Sequence, residues 1–85
     1  MQKETQFELW LKGCEINNTL LYCLDGKGDT GFYKTISTYE YNHNYYFDTP
    51  VYHVWIKGKF ITACANFYSA LATWNNRCEE LTDEQ

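Results

Sequence analysis

The residues of this sequence that could carry nucleophilic chemistry are a histidine and a cysteine in its last third. A β-hairpin is expected over residues 51–64, and its register places His53 and Cys64 on one face as diagonal neighbours. A thiolate beside a base is what nucleophilic catalysis needs, and Asp48 could orient the imidazole. Because strand cysteines and histidines are more often packing residues, a small enzyme or ligand-binding domain is kept as an alternative hypothesis.

The spacing of the remaining ligand-type residues does not indicate a metal or phosphate site. Zinc sites use pairs of ligands at short spacing, and the four cysteines and two histidines contain no such pair. Asp25 and Asp29 stand in a glycine-rich segment, but Lys27 occupies a position where a calcium loop needs an oxygen ligand. The glycines are not followed by the Lys-Ser or Lys-Thr of a phosphate loop. We therefore expect no metal and no cofactor.

The most unusual feature of the sequence is the density of aromatic residues from Tyr39 to Trp55. Tyrosine and tryptophan combine a large apolar area with a polar tip, and they frequently anchor protein interfaces. One C-terminal helix can cover only one face of the hairpin, so we expect rings on the other face to stay exposed. The simpler alternative is that these rings fill a small core. The predicted partner-binding residues are Tyr39, Tyr41, Tyr45, Tyr46, His53, Trp55 and Phe60.

The distribution of charge argues against nucleic acid as the partner. Four of the eleven acidic residues lie in segment 79–85, so residues 1–78 carry seven acids and seven bases. A neutral body lacks the basic surface that nucleic-acid binding requires. Stacking of bases on the rings, with Lys34, Lys57 and Lys59 on phosphates, is therefore the weaker hypothesis. Segment 79–85 is expected to be a solvated, frayed tail.

The hairpin and the helix after it are the most readable elements. β-branched and aromatic residues favour strands, and glycine in Lys57-Gly58 suits a two-residue turn. The expected cross-strand pairs are Ile56–Lys59, Trp55–Phe60, Val54–Ile61, His53–Thr62 and Tyr52–Ala63. Asn66 is a plausible N-cap for an amphipathic helix over residues 67–81, whose apolar residues recur at three- and four-residue steps. We expect this helix to lie across the face that carries Val54 and Ile61.

The elements upstream are predicted from alternation and turn residues. Segments 19–24, 32–41 and 45–47 read as strands, and the glycine-rich segment 25–31 reads as a loop. The N-terminal segment fits either a strand or a helix. Thr5 and Glu8 stand at capping-box spacing, which favours a helix that Gly13 could end.

The bulk properties define the class of protein. The chain has 85 residues, of which 45% are hydrophobic and 21% charged, which is enough for one core and too few for two. It contains no apolar run of roughly 20 residues that could span a membrane, and its polar start does not resemble a secretory signal. We therefore expect a cytoplasmic protein with reduced, buried cysteines, and disulfides only if the chain is exported.

Together these features predict one domain, residues 1–85, with an α+β fold. The fold is an antiparallel sheet of four to five strands with a C-terminal amphipathic helix on one face and, as an open option, a short N-terminal helix. The predicted function is non-enzymatic protein binding. By analogy, phages and mobile elements use such small acidic proteins as anti-CRISPR or anti-restriction inhibitors of host defence nucleases. A structural homodimer is a further alternative.

Overall fold

The structure, a computed structural model, describes residues 4–83 and has the α+β fold that the sequence predicts. Strands β1, β2, β5 and β6 form an antiparallel sheet in that order, and β3 and β4 form a separate two-stranded ribbon. None of the described helices is long and apolar enough to cross a membrane. The elements are α1 (Gln6–Ile16), β1 (Leu20–Lys27), β2 (Thr30–Ile36), β3 (Thr38–Tyr41), β4 (Asn44–Phe47), β5 (Val51–Ile56), β6 (Lys59–Cys64) and α2 (Phe67–Asp83).

The N-terminal segment is a helix because its first turn is capped. Thr5 is the N-cap, and its side-chain oxygen accepts a hydrogen bond from the Glu8 amide at 3.1 Å. The expected end at Gly13 is wrong, since α1 continues to Ile16. The side chain of Asn17 closes the helix by donating to the carbonyl oxygen of Gly13 at 2.8 Å.

The β5–β6 hairpin turns at Lys57-Gly58, where both residues have positive φ, as predicted for a two-residue turn. The pairs Ile56–Lys59 and Trp55–Phe60 are confirmed. Beyond them the register shifts by one residue, because β6 carries an extra residue at Ile61 and forms a β-bulge. The other three predicted pairs are therefore wrong, and the observed pairs are Val54–Thr62, His53–Ala63 and Tyr52–Cys64.

Helix α2 covers one face of the sheet, as predicted. Its N-cap is Asn66, whose side-chain oxygen accepts from the Ser69 amide at 3.1 Å. The core on this side contains Phe32, Val54, Ala70 and Trp74, with Ile61 and Cys64 packed against it. The helix continues to Asp83, so the segment predicted to be a frayed tail begins inside α2, and residues 84–85 lie outside the described residues.

Helix α1 covers the opposite face. Here Phe7, Tyr33 and Trp55 form a second buried cluster, with Trp10 and Leu11 of the helix packed against it. The expectation that Trp55 stays exposed is wrong, because it assumed that a single helix covers the sheet; the side chain is 4% exposed. The molecule is thus a sheet between two helices, with a core on each side.

Three other expectations need correction. The predicted loop 25–31 is mostly strand, since β1 continues to Lys27 and β2 begins at Thr30. The predicted strand 32–41 is divided between β2 and β3, which belong to different sheets. The cysteines were expected to be buried, but Cys23 is exposed, Cys64 and Cys78 are partly buried, and Cys14 alone of the four is buried.

Candidate functional site

The β3–β4 ribbon stands apart from the main sheet. Its two strands are joined at Asn42-His43, where the φ angles of 50° and 65° lie in the left-handed region that a tight hairpin turn requires. Four antiparallel pairs hold the ribbon together: Thr38–Phe47, Tyr39–Tyr46, Glu40–Tyr45 and Tyr41–Asn44. The ribbon is therefore a short arm in which β3 and β4 pair with each other and not with the main sheet.

The ribbon exposes aromatic rings on both of its faces. Residues opposite each other in an antiparallel pair share a face, so three tyrosines lie on one side and two rings on the other. The rings of Tyr39 and Tyr46 stack, with centroids 5.6 Å apart. The exposed fractions are 52% for Tyr39, 64% for Tyr41, 77% for Tyr45, 41% for Tyr46 and 69% for Phe47. Four of these residues were predicted from the sequence as partner contacts, and the structure places them on one ribbon, with Tyr39, Tyr41 and Tyr46 on one face and Tyr45 on the other.

The ribbon carries little charge. Residues 38–47 include no lysine or arginine, and their one carboxylate, Glu40, lies 3.9 Å from the His43 imidazole. The ammonium of Lys34, which could have served a bound phosphate, lies over the ring of Tyr22 on the main sheet, 5.7 Å from its centroid. The ribbon therefore offers apolar area and phenol hydroxyls rather than a charged surface.

The other three predicted contacts lie on the main sheet, on the α1 side. Trp55 is buried, and the ring of Phe60 packs edge-on against it with centroids 5.6 Å apart. Phe60 remains 47% exposed, while His53 is half-buried. The residues predicted as one site thus divide into the exposed ribbon, a partly exposed pair and a core residue.

His53 lines an open cleft of about 370 Å³ between α1 and the sheet, at the base of the ribbon. Its Nε2 lies 2.8 Å from the hydroxyl of Thr35, and its ring packs on Trp10. Desolvation by burial lowers the pKa of His53, which favours the neutral imidazole. Burial also raises the pKa of the Cys14 thiol. The lining residues are Trp10, Gly13, Cys14, Asn17, Thr19, Thr35, Ser37, Val51 and His53.

The predicted combination of His53, Cys64 and Asp48 does not converge. The bulge at Ile61 turns Cys64 towards α2, where its thiol donates to the carbonyl oxygen of Asn66 at 3.3 Å. The Asp48 carboxylate accepts from the Thr49 amide at 2.8 Å. The prediction that His53 and Cys64 share a face is therefore wrong. Among the side chains that the structure describes, no three His, Cys, Asp or Glu residues are grouped to hold a metal.

Sequence reasoning missed several exposed apolar side chains. Phe47 belongs to the ribbon, and the available signal was its position directly after the predicted contacts Tyr45 and Tyr46. Leu20, Tyr22 and Leu24 are exposed on β1, a strand whose position in the sheet could not be read from the sequence.

No protein family, curated protein or solved structure matches this chain. Its function therefore has to follow from its own surface.

Proposed function

We propose that this chain is a non-enzymatic protein-binding module whose contact surface is the β3–β4 ribbon. The observation that carries the proposal is the run of exposed residues 39–47, which includes five aromatic rings. A tyrosine ring buries a large area on binding while few side-chain torsions lose their freedom. Tyrosine is also enriched among the residues that contribute most to binding energy.

The construction of the ribbon supports the same reading. An isolated two-stranded hairpin is only marginally stable in water, and neither face of this one is packed on a helix. A partner that covers one face would bury several rings and stabilise the hairpin. Protein interfaces typically bury about 800 Å² per partner, and the two or three rings on one face of the ribbon can supply part of that area.

The chemistry of the ribbon indicates what kind of contact forms. Because the ribbon has no lysine or arginine, its affinity should come from apolar burial and from hydrogen bonds of the phenol groups. We expect the affinity for the partner to change little between low and moderate salt. Nucleic-acid binding would show the opposite behaviour. Its affinity falls steeply as the salt concentration rises, because the counterions that binding displaces from the phosphates are then released into a more concentrated solution.

The test is capture from a lysate of the source cell, identification by mass spectrometry, and titration of the purified partner. A Tyr41→Ala, Tyr45→Ala variant should lose the partner, with a dissociation constant raised about tenfold or more. Tyr68→Ala is the matched control, because Tyr68 is 78% exposed on α2 and lies outside the ribbon. Equal binding by the natural protein and the ribbon variant would contradict the proposal.

Inhibition of a host defence nuclease, of the anti-CRISPR or anti-restriction type, is a finer form of this proposal and rests on analogy. It predicts that the captured partner is a nuclease or one of its subunits. It also predicts that the natural protein blocks DNA cleavage while the Tyr41→Ala, Tyr45→Ala variant does not. A partner with no role in nucleic-acid cleavage would exclude it.

A further inference from the structure

Strand β1 is an edge of the main sheet, and its outer side has unusual chemistry. Among the described strands β1 pairs only with β2, so one row of its backbone amides and carbonyls faces outwards. Natural edge strands are usually short, charged or interrupted, because an open edge invites another strand. β1 has eight residues, and it carries no charge from Leu20 to Leu24.

The side chains next to this edge are apolar and uncovered. Leu20 and Tyr22 are 39% and 46% exposed. They pair with Ile36 and Lys34, which places them on the α2 side of the sheet. Helix α2 packs on β5, β6 and β2 and reaches β1 through the bond from Trp74 to Asp25, beyond this stretch.

We propose that two copies of the chain associate through their β1 edges, antiparallel and centred on Leu21. The two four-stranded sheets would then form one continuous sheet of eight strands. In this register Leu21 faces its own symmetry mate, and Leu20 of each copy faces Tyr22 of the other. Since opposite residues share a face, both Leu20–Tyr22 pairs lie on the α2 side.

The edge itself argues for a second copy as the occupant. A two-fold axis brings identical residues together, and the uncharged stretch 20–24 meets its mate without like-charge repulsion. The pairing of β1 with β2 shifts between Cys23 and Asp25, so Leu20–Cys23 is the regular part of the strand. Centring on Leu21 pairs the segment Leu20–Tyr22, which lies within this regular part, with the same segment of the other copy and leaves the bulged Leu24 outside.

The opposite edge of the sheet shows the contrast. β6 begins with Lys59 and its bulge at Ile61 falls in the middle of the strand, and both features discourage strand addition. In β1 the bulge and the charged residues come only after Cys23, so its first four residues stay regular and uncharged. The dimer goes beyond the proposed function because its seam, Leu20–Tyr22, contains no residue of the ribbon. It would present two ribbons, which strengthens binding to a partner with two sites.

Light scattering coupled to size-exclusion chromatography tests the proposal across a range of concentrations. The natural protein should reach twice the chain mass of 10.1 kDa. A Leu20→Lys, Tyr22→Lys variant should dissociate, with the dissociation constant raised about tenfold or more. An equal mixture with a Leu20→Glu, Tyr22→Glu variant should form dimers again, because each introduced lysine then faces an introduced glutamate.

Two controls keep the outcome clear. Circular dichroism and urea unfolding establish that the charge variants are folded. The Tyr41→Ala, Tyr45→Ala variant should stay dimeric even where it loses its partner, so failure of the dimer and failure of ribbon binding are separable. A natural protein that is monomeric at every concentration, charge variants that dimerise unchanged, or a ribbon variant that dissociates would each overturn the proposal.

Amide hydrogen exchange gives a measurement that needs no variant. In the dimer, the outward amides of the segment from Leu20 to Tyr22 are hydrogen-bonded to the second copy, so their exchange should slow as the concentration rises. Exchange in this segment that does not depend on concentration would also overturn the proposal.

Discussion

The aromatic residues on the strands of the main sheet and on the strands of the ribbon include rings of opposite exposure. Tyr33 and Trp55, on strands of the main sheet, are 6% and 4% exposed because α1 covers them. Tyr41 and Tyr45, on strands of the ribbon, are 64% and 77% exposed because no helix packs there. All four lie on antiparallel strands. The neighbouring element, rather than the strand itself, decides whether a ring becomes core or surface.

The covered rings form a network that the ribbon lacks. Phe7, Trp10, Tyr33 and Trp55 contact one another with centroids 5.1–5.7 Å apart, and each such contact is worth about 0.5–1.5 kcal/mol beyond its buried area. The Tyr33 hydroxyl is also satisfied, since it donates to the carbonyl oxygen of Gly28. We infer that the covered rings hold the fold while the ribbon rings are available for binding.

Replacing Trp55 by alanine should have the largest effect of the predictions made from this contrast. The substitution leaves a cavity beneath α1, and we expect unfolding free energy to fall by about 3–5 kcal/mol in urea denaturation. Tyr45→Ala, which removes an exposed ring, should change it by less than about 0.5 kcal/mol. Similar losses for both variants would show that the ribbon is part of the core.

Trp55→Phe refines the same experiment. The indole Nε1 is buried and has no hydrogen-bond partner among the described residues, so phenylalanine removes an unsatisfied donor along with some volume. We expect a loss smaller than that of Trp55→Ala. An equal loss would mean that the indole ring itself, rather than aromatic packing in general, is required beneath α1.

The stability of the α1 side should depend on pH through His53. Burial lowers the folded-state pKa of His53 below its ordinary value of 6.5. The unfolded chain therefore binds the proton first, and stability falls as the pH drops from about 7 through the lowered pKa. Urea unfolding between about pH 7.5 and about pH 5 should show this loss, and His53→Gln should reduce it. His43→Gln, at the ribbon turn, is the matched control and should leave the loss in place.

The α2 side should respond at lower pH through Asp25. The Trp74 indole donates to its carboxylate at 2.9 Å and the Gly26 amide donates at 2.8 Å, and these bonds lower the pKa of Asp25 below 3.8. The resulting stability is present above about pH 4 and is lost as pH falls through the lowered pKa. Because the carboxylate is exposed, the effect should be modest. Thermal unfolding of Asp25→Asn should lack this acid loss, while an unchanged profile would contradict it.

Local signals in the sequence were sufficient for most of the fold. The capping pair Thr5 and Glu8, the turn at Lys57-Gly58 and the N-cap at Asn66 each act within a few residues, and each forms as expected. The apolar residues of α2, at three- and four-residue steps, predicted a helix with one buried side, and this helix lies on the expected Val54 and Ile61 face of the sheet. The fold class follows from these elements alone.

The errors concern features that depend on distant parts of the chain. The bulge at Ile61 reversed the face of Cys64, since one extra residue shifts every later side chain in the strand. The burial of Trp55 required knowing that α1 lies across the sheet. The spacing of Phe7, Trp10 and Leu11 gives α1 an apolar face, but it does not say which surface that face covers. The density of aromatic residues therefore predicted one exposed group. It could not distinguish the buried Trp55 from the exposed tyrosines of the ribbon.

The smallest expected effect is that of a substitution in the turn of the ribbon. It tests whether the ribbon opens independently of the main sheet. His43 has φ 65°, a conformation that glycine adopts without strain, and Asn-Gly is the preferred sequence for this turn. His43→Gly should stabilise the ribbon by about 0.5 kcal/mol once the added freedom of the unfolded chain is subtracted. Ribbon amides should then exchange about twofold more slowly, while the urea midpoint of the whole protein stays unchanged.

Asn18→Gly is the matched control, because Asn18 has a similar φ of 55° but lies between α1 and β1. It relieves the same kind of strain outside the ribbon and should leave ribbon exchange unaltered. Slower ribbon exchange in both variants would mean that the ribbon opens only together with the main sheet. The ribbon would then be as stable as the part of the sheet that carries the covered rings. Its aromatic residues would be exposed on a rigid part of the fold, and a partner would not be needed to order them.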